Sequence, residues 1–160
     1  ALTILKSNRH IKAVVFDRPQ VIEKAKNTWL DKESSDVLSR LEFCGGDMFK
    51  SIPNSESDKD LYLFIAILHS FSDPDCKTIL INLKTALGNK SPHVVIMDTV
   101  ADEVNIDSVT ASFDMQMLMG TKGRERTLNE WNNLFNESGF ILEDILDTRS
   151  FAKYIVIRPV

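Results

Sequence analysis

Cysteine and clustered positive charge are both scarce in this 160-residue sequence. The two cysteines, Cys44 and Cys76, lie far apart and form no CxxC pair, which excludes a disulfide framework and argues against a metal site. We expect both to be reduced thiols in the core. The 19 basic and 23 acidic residues are spread along the chain, for a formal net charge of −4. The sequence has no basic stripe to follow a phosphate backbone, so we expect no nucleic-acid partner.

Long apolar runs and a hydrophobic leader segment are also missing. No run approaches the roughly 20 apolar residues that cross a bilayer, and no charged-then-apolar segment precedes a small-residue cleavage site. We therefore expect a cytoplasmic protein with no membrane partner. What is present is 43% hydrophobic residues, enough for one domain with a substantial core.

Apolar runs alternate with helix-start signals along the chain, which predicts an α/β fold. The order favours an open, mostly parallel sheet that ends in an antiparallel hairpin. The run at 61–68 is nearly all apolar, as in a strand that is buried on both faces. The patterns predict helices over 1–7, 19–28, 73–87, 108–119 and 127–139, and strands over 10–16, 41–44, 61–68, 93–97, 140–146 and 151–157.

Four polar residues stand where predicted strands end. In open α/β sheets, ligands bind beyond the carboxyl ends of the strands. This coincidence predicts a binding or catalytic site there. The four residues are Asp17, Asp47, His69 and Asp98.

The first two of these acids suit a nucleoside ligand. An acid at the end of a strand, as at Asp17, can accept hydrogen bonds from two ribose hydroxyls, or it can cap the helix that opens at Pro19. Asp47 and Met48 can flank an adenine, the carboxylate reading the amine and the thioether packing on the ring. As a bare motif, Gly-Gly-Asp is also a common turn.

His69 is the candidate general base, because an imidazole with an ordinary pKa of about 6.5 can take a proton near neutrality. A lone histidine after an apolar strand is more often a structural residue than a catalyst. Asp98 and Glu125 are acids that could orient the ring. Since Arg124 and Arg126 flank Glu125, the alternative for that segment is a solvated charge cluster.

Three methionines follow one another at alternate positions of the predicted helix over 108–119. They are Met115, Met117 and Met119. Adaptable thioethers either fill a core or line a pocket for a flat aromatic substrate.

Taken together, seven motifs resemble the plant caffeate-type and acetylserotonin-type O-methyltransferase family. They occur in the family's order from about residue 10 to the end, and the ordered set is far more specific than any single motif. The motifs are Phe16-Asp17-Arg18-Pro19-Gln20-Val21-Ile22, Gly45-Gly46-Asp47-Met48-Phe49, Ile52-Pro53, Ile67-Leu68-His69, Asp73-Pro74-Asp75-Cys76, Gly123-Arg124-Glu125-Arg126-Thr127 and Glu137-Ser138-Gly139-Phe140.

The resemblance implies a Rossmann-like class I methyltransferase fold that uses S-adenosylmethionine. Asp17 would bind the ribose of this cofactor, and Asp47 and Met48 would flank its adenine. His69 would deprotonate a hydroxyl of a small aromatic or polyketide-like molecule, and Glu125 would orient the histidine. Residues 1–160 would then form a partial catalytic domain.

Other positions depart from the family's pattern around the acceptor. Ser70 and Phe71 stand where the family commonly has Asp and Trp, and together with Met117 they are the predicted substrate-binding residues. Ile65 replaces a common lysine, and Asp98 replaces a common glutamate. These departures favour an alternative, a catalytically silent relative that acts as a binding or dimer partner.

The resemblance also implies what should precede Ala1. The family has a first strand, a Gly-rich loop and a helical N-terminal domain that usually forms a homodimer. We expect the chain to be an N-terminally truncated piece of such a protein, impaired in cofactor binding on its own. A dehydrogenase-like nucleotide-binding enzyme is a further alternative, although no Gly-x-Gly-x-x-Gly supports it.

Overall fold

The computed structural model describes residues 1–160. They form two compact units, Ala1–Pro53 and Asn54–Val160. No helix has both the length and the apolar character needed to cross a membrane.

The first unit is a small α/β unit whose elements follow the predicted order. The segment between the predicted helix over 19–28 and the second strand contains one further short helix. The elements are α1 (Leu2–Ser7), β1 (Ala13–Asp17), α2 (Pro19–Trp29), α3 (Ser35–Leu38) and β2 (Leu41–Gly45).

The two strands of this unit are parallel. Their register runs from Ala13 opposite Leu41 to Asp17 opposite Gly45. A parallel pair needs a crossover, which α2 and α3 supply. Pro19 occupies the first turn of α2, where its missing N–H costs nothing. The crossover therefore brings the carboxyl ends of both strands to one edge of the unit.

The second unit is a larger α/β unit with a mixed sheet. Its elements are β3 (Leu61–Ile65), a 3-10 turn (Leu68–Ser70), α4 (Asp73–Leu87), β4 (His93–Ala101), α5 (Ser108–Thr121), β5 (Arg126–Thr127), α6 (Leu128–Glu137), β6 (Phe140–Asp147) and β7 (Ala152–Pro159).

The strand order in this sheet is β3-β4-β7-β6, with β5 paired to β4 outside this path. The β3–β4 and β4–β5 pairs are parallel, whereas β4–β7 and β6–β7 are antiparallel. The predicted terminal hairpin is confirmed. Because that hairpin docks on β4, this sheet is mixed.

The predicted helix starts of the second unit are confirmed at the level of hydrogen bonds. The Ser72 side chain accepts from Asp75 N–H at the start of α4, and Gly88 ends that helix with φ of 59°. Thr127 and Glu130 form the predicted capping box of α6. Fully buried side chains of both helices, such as Leu83 of α4, fill the core.

Two predicted strand boundaries are wrong. The strand predicted to reach Leu68 ends at Ile65, and Ala66 then takes φ of 51° before the 3-10 turn. The strand predicted to end before Asp98 continues to Ala101, so Asp98 lies within β4. Hydrogen bonds to β5 and β7 extend β4 beyond its apolar run.

The prediction that the first strand of this unit is buried on both faces is also wrong. β3 pairs only with β4 and is an edge strand of the sheet. In addition, alternate side chains are open on one face, with Leu61 56%, Leu63 38% and Ile65 52% exposed.

Candidate active site

In the first unit, the predicted cofactor residues lie together at the carboxyl ends of β1 and β2. Gly46 donates its N–H to the carbonyl of Asp17 at 2.9 Å, which joins the two strand ends. Asp47 follows directly, and its Oδ1 accepts from Phe49 N–H at 3.0 Å. The Asp17 carboxylate accepts from Arg18 N–H at 2.7 Å. Both acids are exposed, so their carboxylates can accept further hydrogen bonds from a ligand.

The path of this loop depends on the lack of a side chain at Gly46. A Cβ there would lie 2.4 Å from the ring of Phe16, which is far inside contact distance. Met48 follows the acid and is half-buried. The two exposed carboxylates thus lie at the carboxyl ends of the strands, where the nucleoside site is predicted.

In the second unit, the candidate base lies in the 3-10 turn Leu68–Ser70, which we call the His69 turn. His69 N–H donates to Asp98 Oδ2 at 3.2 Å. The His69 carbonyl accepts from Arg124 N–H at 2.9 Å. The segment before α6 and the middle of β4 thus hold the main chain of His69 from two sides.

The ring of His69 faces both predicted orienting acids. Its Nδ1 lies 3.1 Å from Glu125 Oε1 and 3.2 Å from Asp98 Oδ1. The side chains of Asp98 and Glu125 are only 1% and 2% exposed, against 16% for His69. Two buried acceptors around Nδ1 place the proton of the neutral ring on that nitrogen, so that Nε2 carries the lone pair.

The protonation of this cluster departs from ordinary values. The hydrogen bond with Glu125 raises the pKa of His69, burial of the ring opposes the shift, and the charge of Asp98 raises the pKa further. Burial raises the pKa of Asp98, and the neighbouring His69 lowers it in part. Titratable groups with shifted pKa values gather at functional sites more often than elsewhere, which favours a catalytic role.

Glu125 has one oxygen without a partner. Its Oε2 is buried and accepts no hydrogen bond, whereas its main-chain N–H donates to Asp114 Oδ1 at 2.8 Å. His69, Asp98 and Glu125 also offer one ligand atom each within 4.8 Å of one another, a spacing that suits a cation. The proton on Nδ1 occupies that position in our interpretation, because it satisfies the same atoms.

We expect Glu125→Gln to lower the pKa of His69 towards its ordinary value. The variant loses the charge and the strongest acceptor beside Nδ1. A raised pKa in the folded state stabilises the fold below the unfolded pKa of about 6.5, and this stabilisation disappears as pH rises through the folded pKa. This stabilisation of the fold should therefore be smaller in Glu125→Gln. NMR titration of the His69 ring measures the shift directly.

The matched control is Glu143→Gln on the exposed face of β6. This variant should leave the titration of His69 unchanged. A Glu125→Gln protein that titrated like the parent would rule out the charge of Glu125 as the cause of the raised pKa.

The interpretation of the Arg124–Arg126 segment as a solvated charge cluster is wrong for two of its three residues. Glu125 is 6% exposed and Arg126 is completely buried. Only Arg124 keeps an exposed side chain, at 42%. The buried role of Arg126 was missed because a lone arginine carries no burial signal in sequence. Its one local signal is its place directly before the N-cap of α6.

The predicted substrate residues lie beside the His69 turn. Ser70 Oγ is 3.9 Å from the sulfur of Met117, so the structure brings these two together. Phe71 follows and is half-buried. Met115 and Met119 are 56% and 81% exposed, so the alternative that the methionines fill the core is wrong for these two.

The fold is similar to that of solved structures that include a methyltransferase. It is similar to LaPhzM, with a TM-score of 0.89 and 29% identity, covering 99% of this chain and 46% of that one. It is also similar to the mitomycin 7-O-methyltransferase MmcR, with a TM-score of 0.86 and 26% identity over 98% of this chain and 44% of that one. The predicted α/β methyltransferase fold is confirmed.

The family model for the O-methyltransferase domain matches residues 1–141, and the chain belongs to that family. It is 36% identical to isoflavone-7-O-methyltransferase 6 of Medicago sativa over 93% of this chain and 40% of the relative. It is 33% identical to a probable scoulerine-9-O-methyltransferase of Papaver somniferum over 98% of this chain and 41% of the relative. The chain thus spans about two fifths of the length of these relatives.

Proposed function

We propose that the protein is an S-adenosylmethionine-dependent O-methyltransferase that methylates a hydroxyl of a small aromatic molecule. The single observation that carries this proposal is the contact of His69 Nδ1 with two buried carboxylates. This arrangement fixes the tautomer of the ring and supports the positive charge that Nε2 acquires when it accepts a proton. Membership of the O-methyltransferase domain family supports the same reaction.

The base chemistry follows from the cluster. Nε2 of His69 would accept the proton of the acceptor hydroxyl, and the oxygen could then take the methyl group as the carbon–sulfur bond of the bound cofactor breaks and S-adenosylhomocysteine leaves. The imidazolium is stabilised by Glu125 and Asp98, which are both within 3.2 Å of Nδ1. The cofactor supplies an activated methyl group on a sulfonium. His69 must be neutral to act, and its pKa is raised, so the rate should increase as pH rises through that raised pKa.

The residues of the first unit fit the adenosine part of the cofactor. Exposed Asp17 offers the acceptor that two ribose hydroxyls require. Asp47 and Met48 directly follow Gly46, whose lack of a side chain lets this loop pack on the ring of Phe16. The neighbouring structure CalO1, 26% identical with a TM-score of 0.82, was solved with S-adenosylhomocysteine, which supports the same class of ligand here.

The acceptor in this proposal is a flat phenolic or enolic compound. Met117 and Phe71 offer a thioether and an aromatic ring beside the His69 turn, and Ser70 offers a hydroxyl. The relatives named for isoflavone and scoulerine methylation support an aromatic hydroxyl as the target.

Methyl transfer from labelled S-adenosylmethionine to a panel of flavonoids and isoquinoline phenols tests the proposal in the full-length protein. The expected result is label in an ether product and release of S-adenosylhomocysteine. Binding of S-adenosylhomocysteine without transfer to any acceptor would favour the silent relative, and no binding at all would contradict both.

We expect Asp17→Asn to weaken cofactor binding with the fold intact. The amide keeps one acceptor oxygen but loses the negative charge, which weakens each hydrogen bond from a ribose hydroxyl by about 1 kcal/mol. For two such bonds, Kd should rise roughly tenfold or more. Calorimetric titration of S-adenosylhomocysteine measures the change. Asp31→Asn, at an exposed position after α2, is the control. Equal affinity of the parent and Asp17→Asn would remove Asp17 from the ribose site.

A further inference from the structure

Arg126 is a completely buried cation that lies directly under the His69 turn. Its Nη1 donates to the Leu68 carbonyl at 3.0 Å and its Nη2 to the Phe71 carbonyl at 2.8 Å. These two carbonyls stand on either side of His69 in the chain. One planar guanidinium thus spans the turn that carries the candidate base.

Other groups fix the guanidinium itself. Asp73 at the start of α4 accepts from Arg126 Nε at 2.9 Å and pairs with Nη2 at 2.8 Å. The ring of Trp131 in α6 lies 5.1 Å from the guanidinium carbon. The guanidinium is therefore held by residues of two helices. Because it is planar and rigid, it restricts the movement of the two carbonyls that it contacts.

The same two carbonyls also accept from a thiol. Cys76 Sγ is 3.2 Å from the Leu68 carbonyl and 3.6 Å from the Phe71 carbonyl. Burial raises the pKa of Cys76 to about 11, so the sulfur stays a protonated donor. Arg126 Nη2 approaches this sulfur at 3.4 Å. Arg126 and Cys76 thus supply donors to both carbonyls, in addition to the Phe71 N–H, which donates to the Leu68 carbonyl at 3.1 Å.

We propose that Arg126 is a positioning residue for the methyl-transfer reaction, holding the His69 turn so that the ring stays aligned with Glu125 and Asp98. This inference rests on the proposed function. Arg126 directly follows Glu125 in sequence. The same chain segment therefore provides both the acid beside Nδ1 and the guanidinium that binds the carbonyls of the turn. Displacement of a catalytic group by about 1 Å can cost about 100-fold in rate, which makes such a clamp consequential.

The test compares Arg126→Met and Arg126→Lys with the parent in the full-length protein. Arg126→Met keeps much of the apolar volume and removes every donor. Arg126→Lys keeps the charge but cannot span both carbonyls and Asp73, because an ammonium lacks the planar fork. Arg158→Met, on the exposed part of β7, is the matched control.

The readouts are kcat, KM and the NMR titration of His69. We expect kcat to fall about 10- to 100-fold in Arg126→Met with a smaller change in KM, and less in Arg126→Lys. The pKa of His69 should fall as its ring leaves the two carboxylates, and the pH–rate profile should move with it. If Arg126 acted on His69 only through its positive charge, removal of that charge would raise the pKa of His69. The direction of the pKa shift therefore distinguishes positioning by Arg126 from a direct charge effect.

A folded Arg126→Met variant with the parent's kcat and pH profile, or with a raised pKa of His69, would overturn the inference. If that variant does not fold, Arg126→Lys decides on the same criteria. If the parent itself transfers no methyl group, the proposed function fails. The titration of His69 still tests the role of Arg126 in that case, because it needs no turnover.

Discussion

Replacing His69 with glutamine is expected to lower kcat by about 10²- to 10⁴-fold, the usual contribution of a general base. Glutamine is similar in size and can still donate to Glu125 and Asp98, so the buried acids keep a partner. It cannot take the proton from a phenolic hydroxyl. The residual rate should therefore depend on the fraction of acceptor that ionises in solution, and it should rise with pH without levelling at a protein pKa.

His93→Gln provides the matched control for this experiment, because His93 is exposed at the start of β4. The rate and its pH dependence should be unchanged in this variant. Steady-state kinetics over a range of pH values, with S-adenosylmethionine saturating, measure both. Full activity of His69→Gln with a true acceptor would show that the oxygen needs no base from this residue.

Replacing Gly123 with alanine is expected to destabilise the protein and to impair methyl transfer at once. A Cβ at this position would lie 1.9 Å from the His69 carbonyl oxygen and 2.7 Å from the Ser70 carbonyl carbon. Both are main-chain atoms, so no side chain can rotate away. Overpacking of this kind costs about 1–3 kcal/mol of unfolding free energy, and relief of the clash must move the His69 turn.

Gly120→Ala is the control, and we expect this substitution to stabilise the protein. Gly120 lies within α5, and a Cβ there would meet nothing within 4 Å. Alanine in a helix is about 0.5–1 kcal/mol more favourable than glycine. Chemical denaturation of both variants, with kcat measured in parallel, provides the comparison. A Gly123→Ala protein as stable and active as the parent would contradict the tight packing of this segment on the turn.

Local signals in the sequence predicted most helices and strands of this fold. The Ser72 cap, the Thr127–Glu130 capping box and Gly88 are short-range features whose hydrogen bonds form within one turn, so the sequence alone identifies them. The ends of β3 and β4 could not be predicted in the same way. Their lengths depend on pairing with strands far along the chain, and no local pattern records that pairing.

Some residues of the candidate site could be predicted from the sequence and others could not, for a related reason. Polar residues after apolar runs pointed to Asp17 and His69, because strand ends converge at one edge of a parallel pair. Asp98 was found for an imprecise reason, since it lies inside β4 and not at its end. Arg126 was assigned to a solvated cluster because arginine is mostly exposed, and only the fold shows that its charge is paired and buried.

The contacts that orient His69 link distant parts of the chain, and this affects how the base is assembled during folding. Asp98 is 29 residues away and Glu125 is 56 residues away. Loops of this length must close before either acid reaches Nδ1, and their closure entropy is repaid only when β4 and the segment before α6 have docked. The base therefore acquires its shifted acidity after the surrounding sheet has formed. Opening of that segment would separate Glu125 from His69, which in the proposed function removes one of the two carboxylates that support the protonated ring.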